Sequence, residues 1–478
     1  MKWGKMNRPS HTFIVVLGVI LGMTLSVSAQ STNQQMGIPE KADPIHQTYI
    51  PVVTGDFDAM MKNDVAAKPE IMQRQMELLK RRYDLSDNSA EMKMSGGTKP
   101  LQKGVRVRLP QDMTWEKLAG MSPAEIRDKG VFPEGFLPLP HAKHETGGQV
   151  IPENQIEQIQ KMESRNLQRF DVEFDLPQHL LPEFPPPIFL TSRPDLGDVS
   201  QGKLLSIKNY FDIMHGILTP VQMEGLRLLL TPFPQQQFNQ TADRKVEEPT
   251  LGISCLDCHT NGHTNAAFHL NPDTRPHIAR LRLDTVSLRG VYNQQIHGSK
   301  RSLRSIEDFT QFEQRSAYFD GDQVTAAKKG ANFPDRASQV MMMAQMQNIF
   351  DFPPAPKLTV FGKLDPTKAT EQEMLGQEVF FGKGRCAECH PAPVYLDDKM
   401  NDLKVNRFYK PHMSNGEYIT AVGPIKTFTL RGIKDSPPYL HDGRLLTLED
   451  TVEFFNVVTG VNLNQKEKEA LVAFMRQL

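Results

Sequence analysis

The sequence predicts a mainly helical protein in which one structural module occurs twice, behind an irregular, proline-rich N-terminal extension. Three kinds of short stretch occur twice, in the same order: a helix-start pattern at 219–225 and 370–376, a Cys-x-x-Cys-His motif at 255–259 and 386–390, and a Leu-Arg-Gly stretch at 288–291 and 430–433. Two copies of one module account for that shared order.

Length and composition are those of a globular protein. The chain has 478 residues, of which 39% are hydrophobic and 23% are charged, enough for roughly two to four domains. The formal net charge is only -1. Because no strong basic field is present, we expect neither nucleic acid nor an anionic membrane surface as a partner.

The first 29 residues resemble a secretory signal peptide. Three basic residues precede an uncharged apolar run at 13–27, and the small-residue pattern Val-Ser-Ala comes just before Gln30. The run is shorter than the about 20 apolar residues of a spanning helix. We therefore expect cleavage after residue 29, a periplasmic location and no stable membrane association; an uncleaved anchor is the alternative.

Residues 30–200 form the extension, for which the sequence predicts no role. Prolines are spread through it, and the stretch 176–187 predicts an extended strap with polyproline-type dihedrals. One helix is predicted, with Pro69 at its first position and apolar residues at helical spacing up to Tyr83.

The two modules are expected at 201–350 and 369–478, joined by a rigid linker at 351–368. Thr219 and Thr370 are each followed three residues later by Gln or Glu, which is the capping-box pattern of a helix start.

Other stretches extend the repeat or predict further helices. We match His297-Gly298 with His441-Asp442-Gly443, and the segment 305–309 with 447–451. The methionine cluster at 341–346 predicts a helix with gap-filling side chains. Residues 464–476 predict a last helix.

All four cysteines lie in the two Cys-x-x-Cys-His motifs: Cys255, Cys258, Cys386 and Cys389. Such a pair of thiols can form thioethers with the vinyl groups of a haem, and the adjacent His259 or His390 then ligates the iron. A zinc site would need two cysteine pairs close together or paired histidines, and a dithiol redox site would not need the histidine. The sequence therefore predicts two covalent haem c groups, with zinc and dithiol chemistry as alternatives.

The stretches 376–391 and 426–450 resemble the bacterial di-haem cytochrome c peroxidases and their MauG-type relatives. The second is the more specific: Lys-Thr-Phe-Thr-Leu-Arg-Gly, then Pro-Pro-Tyr-Leu-His-Asp-Gly-Arg and Thr-Leu-Glu-Asp. The resemblance covers about 200–478 and implies two cytochrome c-like haem domains in tandem. In that family one haem passes electrons in, and the other has an accessible iron that meets peroxide.

For the first haem, the resemblance ranks the candidate ligands opposite His259. His269 and His277 lie where the family supplies its displaceable histidine, ahead of His263 and His297. A surface or supporting role is the alternative for each of them.

For the second haem, the family's axial methionine or tyrosine position is occupied by Phe455, which cannot ligate iron. Met413, His412 and Met400 are substitutes opposite His390 by residue type only. This departure puts the usual electron-entry role in doubt.

Two polar residues fall near the positions where the family keeps its peroxide-handling acid and amide. Glu307 is the candidate acid, and Gln294, or its neighbour Gln295, is the candidate amide. For Glu307 the alternative is a role at the start of a helix or on a solvated face.

Further residues are candidates for holding the cofactors or linking them. Arg289 and Arg431 could fork onto haem propionates, with surface arginines as the alternative, and His441 could fix a haem edge or propionate. The family places a tryptophan between its irons, but Trp115 lies outside the repeats.

Tyr292 or Tyr318 could take the place of that tryptophan. Calcium, which is known in the family, could be bound by Asp320 and Asp322, although an ordinary acidic turn is the alternative.

We therefore expect an exported di-haem c-type cytochrome that acts as a haem-dependent oxidoreductase. The most concrete reaction is reduction of hydrogen peroxide with electrons from a small periplasmic donor, a cytochrome c or a cupredoxin. The alternatives are a pure electron-transfer cytochrome and a MauG-type oxidase acting on a protein or organic substrate.

Overall fold

The computed structural model describes residues 57–142, 148–235, 250–270, 282–300, 302–313, 336–415, 417–419 and 421–478. The predicted signal peptide at 1–29, His277, Tyr318 and the run from Asp320 to Asp322 lie outside the described residues.

Helices provide most of the regular structure, as the sequence predicts. In chain order they are α1 (Phe57–Arg82), α2 (Trp115–Ala119), α3 (Pro123–Lys129), α4 (Glu153–Glu163), α5 (Tyr210–Met214), α6 (Pro220–Leu230), α7 (Cys255–Cys258), α8 (Ile306–Glu313), α9 (Met341–Gln347), α10 (Glu371–Phe381), α11 (Leu448–Thr459) and α12 (Gln465–Met475). Among the described helices, none combines the length and the apolar character needed to cross a membrane.

The strands of the described residues are short and pair in sheets of two or three strands. They are β1 (Ser89–Lys93), β2 (Pro100–Gln102), β3 (Gly148–Val150), β4 (Phe233–Gln235), β5 (Thr250–Ile253), β6 (Phe268–Leu270), β7 (Leu283–Asp284), β8 (Met400–Asn401), β9 (Met413–Ser414), β10 (Glu417–Tyr418) and β11 (Ile425–Lys426). The three-stranded sheet has the order β3-β6-β7 and joins the extension to the first module.

The helix predicted to start at Pro69 is longer than expected. α1 already runs from Phe57, and Pro69 lies inside it. An internal proline leaves the carbonyl four residues earlier without a donor. Here that residue is Val65, which is 54% exposed.

Two helix pairs have the same construction. α6 packs against α9, and α10 packs against α12. A Cβ atom at Gly225 would lie 2.0 Å from the carbonyl oxygen of Met342, and one at Gly376 would lie 1.9 Å from that of Ala470. Only glycine allows backbones to approach so closely. The helix of the methionine cluster is therefore the counterpart, in the first module, of the last helix in the second.

Both predicted helix starts are confirmed. The Thr219 side chain caps α6 and the Thr370 side chain caps α10, and each is part of a complete capping box. These caps satisfy backbone donors that the first turn of a helix would otherwise leave unpaired.

In the second half of the repeat, equivalent residues of the two copies are always separated by the same number of residues. Gly290 and Gly432 both have left-handed backbones, with φ of 78° and 69°, and each precedes a short 3-10 turn. Antiparallel bridges then pair His297 with Leu303 and Tyr439 with Leu445. His297 therefore corresponds to Tyr439.

The predicted match of His297-Gly298 with His441-Asp442-Gly443 is wrong by two residues. The counterpart of His441 is Ser299, as equivalent backbone hydrogen bonds indicate. The amide of Asp284 donates to the His441 carbonyl at 2.9 Å, and that of Lys426 donates to the Ser299 carbonyl at 2.9 Å. Leu-Arg-Gly lies equally far from the following helix start in both copies, so counting from it would have given the correct register.

The N-terminal extension shares its hydrophobic core with the second module. Phe136 packs edge-on against Phe454, with 5.2 Å between ring centroids. The Asp450 carboxylate accepts hydrogen bonds from the amides of Arg106 and Val107 at 2.7 and 2.9 Å. The second module therefore depends on the extension for part of its core.

Candidate cofactor site

A cavity of about 500 Å³ lies beside the second Cys-x-x-Cys-His motif. Cys386, Cys389 and His390 line it. The rest of the wall is largely apolar and includes Phe428, Leu430, Val452, Phe455, Leu471 and Met475. Cofactor pockets commonly have volumes of about 300–1,000 Å³ and mainly apolar walls, so the cavity suits a large, flat, apolar cofactor.

Both motif histidines are held in the same way. His390 donates from Nδ1 to the carbonyl oxygen of Tyr395 at 2.8 Å, and His259 donates from Nδ1 to that of Val286 at 2.8 Å. Burial lowers the pKa of His390 and that of His259 to about 4. Each ring is therefore neutral at pH 7, with the lone pair on Nε2, which is the form that ligates iron.

The cysteines lack the lowered pKa of a redox dithiol. None of them forms a disulfide. Burial raises the pKa of Cys258 and Cys389 and that of Cys386 to about 12, whereas a reactive dithiol has a thiolate with a lowered pKa. Across the described ranges, no three His, Cys, Asp or Glu side chains are grouped to hold a metal ion. Thioether attachment to haem is the use that fits these residues.

One end of the cavity is polar. Asp284 Oδ1, Thr285 Oγ1 and His441 Nδ1 are buried there without a hydrogen-bond partner among the described residues. Burial raises the pKa of Asp284 well above its usual range and lowers that of His441 to about 4, so the His441 ring is neutral at pH 7. Because unpaired buried polar atoms are costly, a cofactor with carboxylates, such as haem propionates, would provide the missing partners.

His441 was a candidate propionate partner, but Asp284 and Thr285 were missed. A signal was present, because Asp284-Thr285 precedes the first Leu-Arg-Gly stretch as Lys426-Thr427 precedes the second. Extending the repeat match by four residues would have included them.

Both candidate arginines line the cavity, and both already hold protein groups. Arg289 forms an ion pair with Asp435 at 3.2 Å and donates to the Pro187 carbonyl at 2.6 Å. Arg431 donates from Nε to the carbonyl oxygen of Leu478 at 2.9 Å. A guanidinium has five N–H donors, so each arginine has donors left for a cofactor carboxylate.

Gln294 lies in the wall of the same cavity. Its Oε1 accepts a hydrogen bond from the Lys426 ammonium. Burial lowers the pKa of Lys426 to about 7, so that charge is easily lost. The candidate amide is thus near the second motif, and no described contact joins it to His259.

The structure does not bring Met413 to the cavity. It lies on β9 and is 59% exposed, and neither it nor His412 or Met400 is part of the described cavity wall. Phe455 and Met475 do line the wall. Met475 was not among the candidate iron ligands, because by its spacing it belongs to the buried face of α12.

Two ionisable side chains influence His259: the predicted His269 and an acid that was not predicted, Glu313. His269 and Glu313 are close enough to affect the pKa of His259, which His269 lowers and Glu313 raises. Glu313 ends α8 and continues the face of the buried Ile306 and Thr310, at helical spacing. That spacing is visible in the sequence, and it could have ranked Glu313 above Glu307 as the candidate acid.

The other candidates near the first motif have different surroundings. His263 uses both ring nitrogens, Nδ1 with Ser287 Oγ at 2.8 Å and Nε2 with the Asp435 carbonyl at 3.0 Å. Glu307 raises the pKa of His297, and no described contact joins Glu307 to His259.

The extension holds the first motif in place. Arg165, which follows α4, donates to both carboxylate oxygens of Asp257 at 2.7 and 2.9 Å. Gln155 of α4 donates to the Asp257 carbonyl at 2.7 Å. Since Asp257 lies between the two cysteines, the extension fixes the turn that presents them.

The chain is similar to known redox proteins over part of its length. Cytochrome-c peroxidase IdrP2 of Denitromonas iodatirespirans is 31% identical over 155 residues, which cover 25% of this chain and 42% of that protein. Methylamine utilization protein MauG of Methylorubrum extorquens is 28% identical over 124 residues, covering 22% and 33%. Cytochrome c551 peroxidase of Nitrosomonas europaea is 28% identical over 121 residues, covering 24% and 36%.

These relatives confirm the resemblance to di-haem cytochrome c peroxidases and MauG, although the chain spans less than half the length of each. No family model matches. A solved MauG-like protein associated with microbial copper homeostasis has a TM-score of 0.38 at 14% identity, covering 62% of this chain and 94% of that one. Hydrazine synthase of Kuenenia stuttgartiensis has 0.36 at 17% identity, covering 58% and 93%. These scores are too low to bear on fold or function.

Proposed function

We propose that the chain is an exported haem-dependent oxidoreductase with two covalent haem c groups in tandem cytochrome c-like domains, and that it reduces hydrogen peroxide with electrons from a small periplasmic donor protein. The observation that carries the proposal is the matched presentation of His259 and His390. Each is half-buried with a pKa below its usual value, and each donates from Nδ1 to a backbone carbonyl next to two motif thiols.

When bound, each haem supplies an iron that changes oxidation state and that can react with peroxide where an axial position is open. Reduction of one peroxide to two waters consumes two electrons and two protons. The donor protein supplies the electrons, and acidic side chains of the chain must deliver the protons.

The two sites differ in a way that suits a division of labour. The wall of the second cavity is largely apolar beside Phe455 and Met475, and its titratable groups Asp284, His441 and Lys426 also line it. We assign electron transfer to this site. The first site has His269 and Glu313 close to His259, and these side chains can hold and release protons. We assign peroxide reduction to the first site, with Glu313 as the candidate proton-handling group. Glu307 and Gln294, the candidates from the sequence, have no described contact with His259, and Gln294 lines the second cavity.

Val286 offers a short route between the sites. It lines the second cavity, and its carbonyl oxygen accepts the hydrogen bond from His259 Nδ1. It could replace the tryptophan that the family resemblance leads us to expect, because Trp115 lies in α2 against Phe136, at 5.6 Å between centroids. Tyr292 is 40% exposed and donates to Asp351 at 2.7 Å.

Electron paramagnetic resonance of the purified protein tests the proposal, in the oxidised form and after one-electron reduction, with peroxide then added. The proposal predicts a high-spin ferric signal, either in the oxidised form or after half-reduction, that disappears when peroxide is added. Such a signal supports an iron with an open axial position. Two low-spin signals that peroxide leaves unchanged in both states would refute it and leave an electron-transfer cytochrome. Slow peroxide turnover with every small donor would favour an oxidase of the MauG type.

The haem content is tested separately. Cys255→Ala combined with Cys258→Ala, and Cys386→Ala combined with Cys389→Ala, should each remove one of two covalently bound haems, as measured by the intact mass and by the pyridine haemochrome spectrum. Unchanged haem content in either variant would contradict the assignment of that motif.

A further inference from the structure

Two apolar side chains next to the second motif are held out into solvent. Val360 and Phe361 are 88% and 77% exposed, the highest values among the exposed large hydrophobic residues of the described chain. Single exposed apolar residues are common on protein surfaces, but Val360 and Phe361 are adjacent and form one apolar patch, and contiguous apolar patches mark binding surfaces. We call this pair the apolar tip.

The apolar tip sits on an ordered turn. The Gly362 amide donates to the Thr359 carbonyl at 2.9 Å, and the Thr359 amide donates to the Lys363 carbonyl at 2.8 Å. Leu358 and Leu364 form an antiparallel bridge at its base. The exposure of the tip is therefore built into the turn.

A chain of hydrogen bonds joins the turn to the second motif. The carbonyl of Gly362, the residue after Phe361, accepts from the buried Tyr395 hydroxyl. The carbonyl of Tyr395 accepts from His390 Nδ1 at 2.8 Å. Gly362 also packs on Pro393, where an added Cβ would lie 2.7 Å from Cα. The path from the tip to the ring of His390 thus consists of covalent and hydrogen bonds only.

The charge around the apolar tip favours an acidic partner. The segment 357–368 contains three lysines and one aspartate. Lys357 pairs with Glu373 at 2.6 Å and Lys368 with Asp365 at 3.6 Å. Lys363 lies over the Phe381 ring and forms no ion pair with a carboxylate of the described residues. Beside the second motif, Arg385 and Glu388 pair with one another at 2.7 Å.

We propose that the apolar tip is the docking point for the electron donor, a small redox protein whose apolar contact patch is rimmed by acidic side chains. This inference rests on the proposed function, since it gives His390 the role of an iron ligand. A small apolar contact with a weakly basic surround suits a transient redox encounter, because such interfaces are small and must dissociate quickly. The hydrogen-bonded path then carries the electron from the contact point towards the second haem.

The test uses the holoprotein with Val360→Ser and Phe361→Ser combined. The matched control combines Phe211→Ser and Val221→Ser, which alter a phenylalanine and a valine that are 53% and 41% exposed elsewhere on the surface. Stopped-flow absorbance measures haem reduction by reduced plastocyanin, an acidic cupredoxin, at two ionic strengths. Ascorbate with a small mediator serves as the donor that needs no docking.

We expect the tip variant to lose about tenfold in the second-order rate with plastocyanin, the scale of a truncated interface hot spot. Its rate with the small mediator and both rates of the control variant should not change. Higher salt should slow reduction of the wild-type protein by plastocyanin.

Equal rates for wild type and tip variant, an equal loss with the mediator, or no reduction of the wild type by plastocyanin would overturn the proposal. So would a wild-type dimer that the tip substitutions dissociate in sedimentation velocity, because a second copy would then cover the tip. Haem reduction is measured without peroxide, so a failure of docking is distinguishable from a failure of peroxide chemistry.

Discussion

Gly376→Ala should separate the two helices that support the second cavity. A Cβ atom at this position would lie 1.9 Å from the Ala470 carbonyl oxygen and 2.8 Å from Phe474 Cβ. Both neighbours belong to α12, and its backbone cannot rotate away as a long side chain can. The helix must therefore shift by more than an ångström.

The expected cost exceeds the local gain. Overpacking in a tightly packed core costs about 1–3 kcal/mol, and alanine returns at most about 1 kcal/mol of helix propensity and chain entropy. We expect a net loss of about 2 kcal/mol in the free energy of unfolding. Gly120→Ala is the matched control, because its nearest atom, the Glu116 carbonyl oxygen, would lie at 3.5 Å.

Chemical denaturation of the holoprotein, followed by circular dichroism, measures the loss in stability. Haem absorbance shows which site responds, because Gly225→Ala makes the equivalent change in the first module, 2.0 Å from the Met342 carbonyl oxygen. Gly376→Ala should perturb the second haem and Gly225→Ala the first. If both variants were as stable as Gly120→Ala, the inferred equivalence of the two helix crossings would have no energetic basis.

Three further predictions concern buried polar groups. Arg165→Met leaves the buried Asp257 carboxylate without its cation, so the free energy of unfolding measured by denaturation should fall by about 3–5 kcal/mol. The control Arg193→Met breaks the exposed pair with Asp195 and should cost less than about 1 kcal/mol. Equal losses in the two variants would contradict the structural role of Arg165. Burial lowers the pKa of His297 to about 4, below its unfolded value, so the free energy of unfolding should fall by up to about 3 kcal/mol as the pH falls from 6.5 to 4. Urea titrations across that range measure this pH dependence, which His297→Gln should reduce. If the variant kept the pH dependence of the wild type, His297 would not be its source. Tyr395→Phe leaves the Gly362 carbonyl without its donor, so the free energy of unfolding should fall by about 1–2 kcal/mol. The midpoint potential of the second haem should also shift in a spectroelectrochemical titration. An unshifted potential would show that the hydrogen bond from Tyr395 to Gly362 does not influence His390.

The sequence predicted what local patterns determine. Capping boxes at Thr219 and Thr370 depend on residues within one turn, and the Cys-x-x-Cys-His motif holds its chemistry within five residues. The pairing of His259 with the Val286 carbonyl could not be read in advance. Val286 lies far from His259 along the chain, and the contact depends on the tertiary fold.

The role of the extension was hidden for the same reason. Its prolines suggest irregular structure, but Arg165 and Gln155 act on Asp257 across long sequence separations. Neither residue is part of a local motif. Only the fold shows that a segment outside the repeats positions the first pair of cysteines.

The repeat explains how one backbone plan can support two different sites. In the corrected register, Asp284 matches Lys426, Val286 matches Phe428 and Ser299 matches His441. The backbone hydrogen bonds at these positions are kept, because the amides of Asp284 and Lys426 donate to equivalent carbonyls. The side chains differ in charge, size and polarity.

The second cavity therefore receives from one copy a carboxyl group whose pKa is raised by burial, and from the other a lysine whose pKa is lowered by burial to about 7. Since both Asp284 and Lys426 line that cavity, divergence at equivalent positions has made one shared wall asymmetric. An asymmetric wall can favour one charge state of the bound cofactor over the other. That property sets a redox potential, so this wall provides a physical basis for a potential difference between the two haems that we propose for the equivalent motifs.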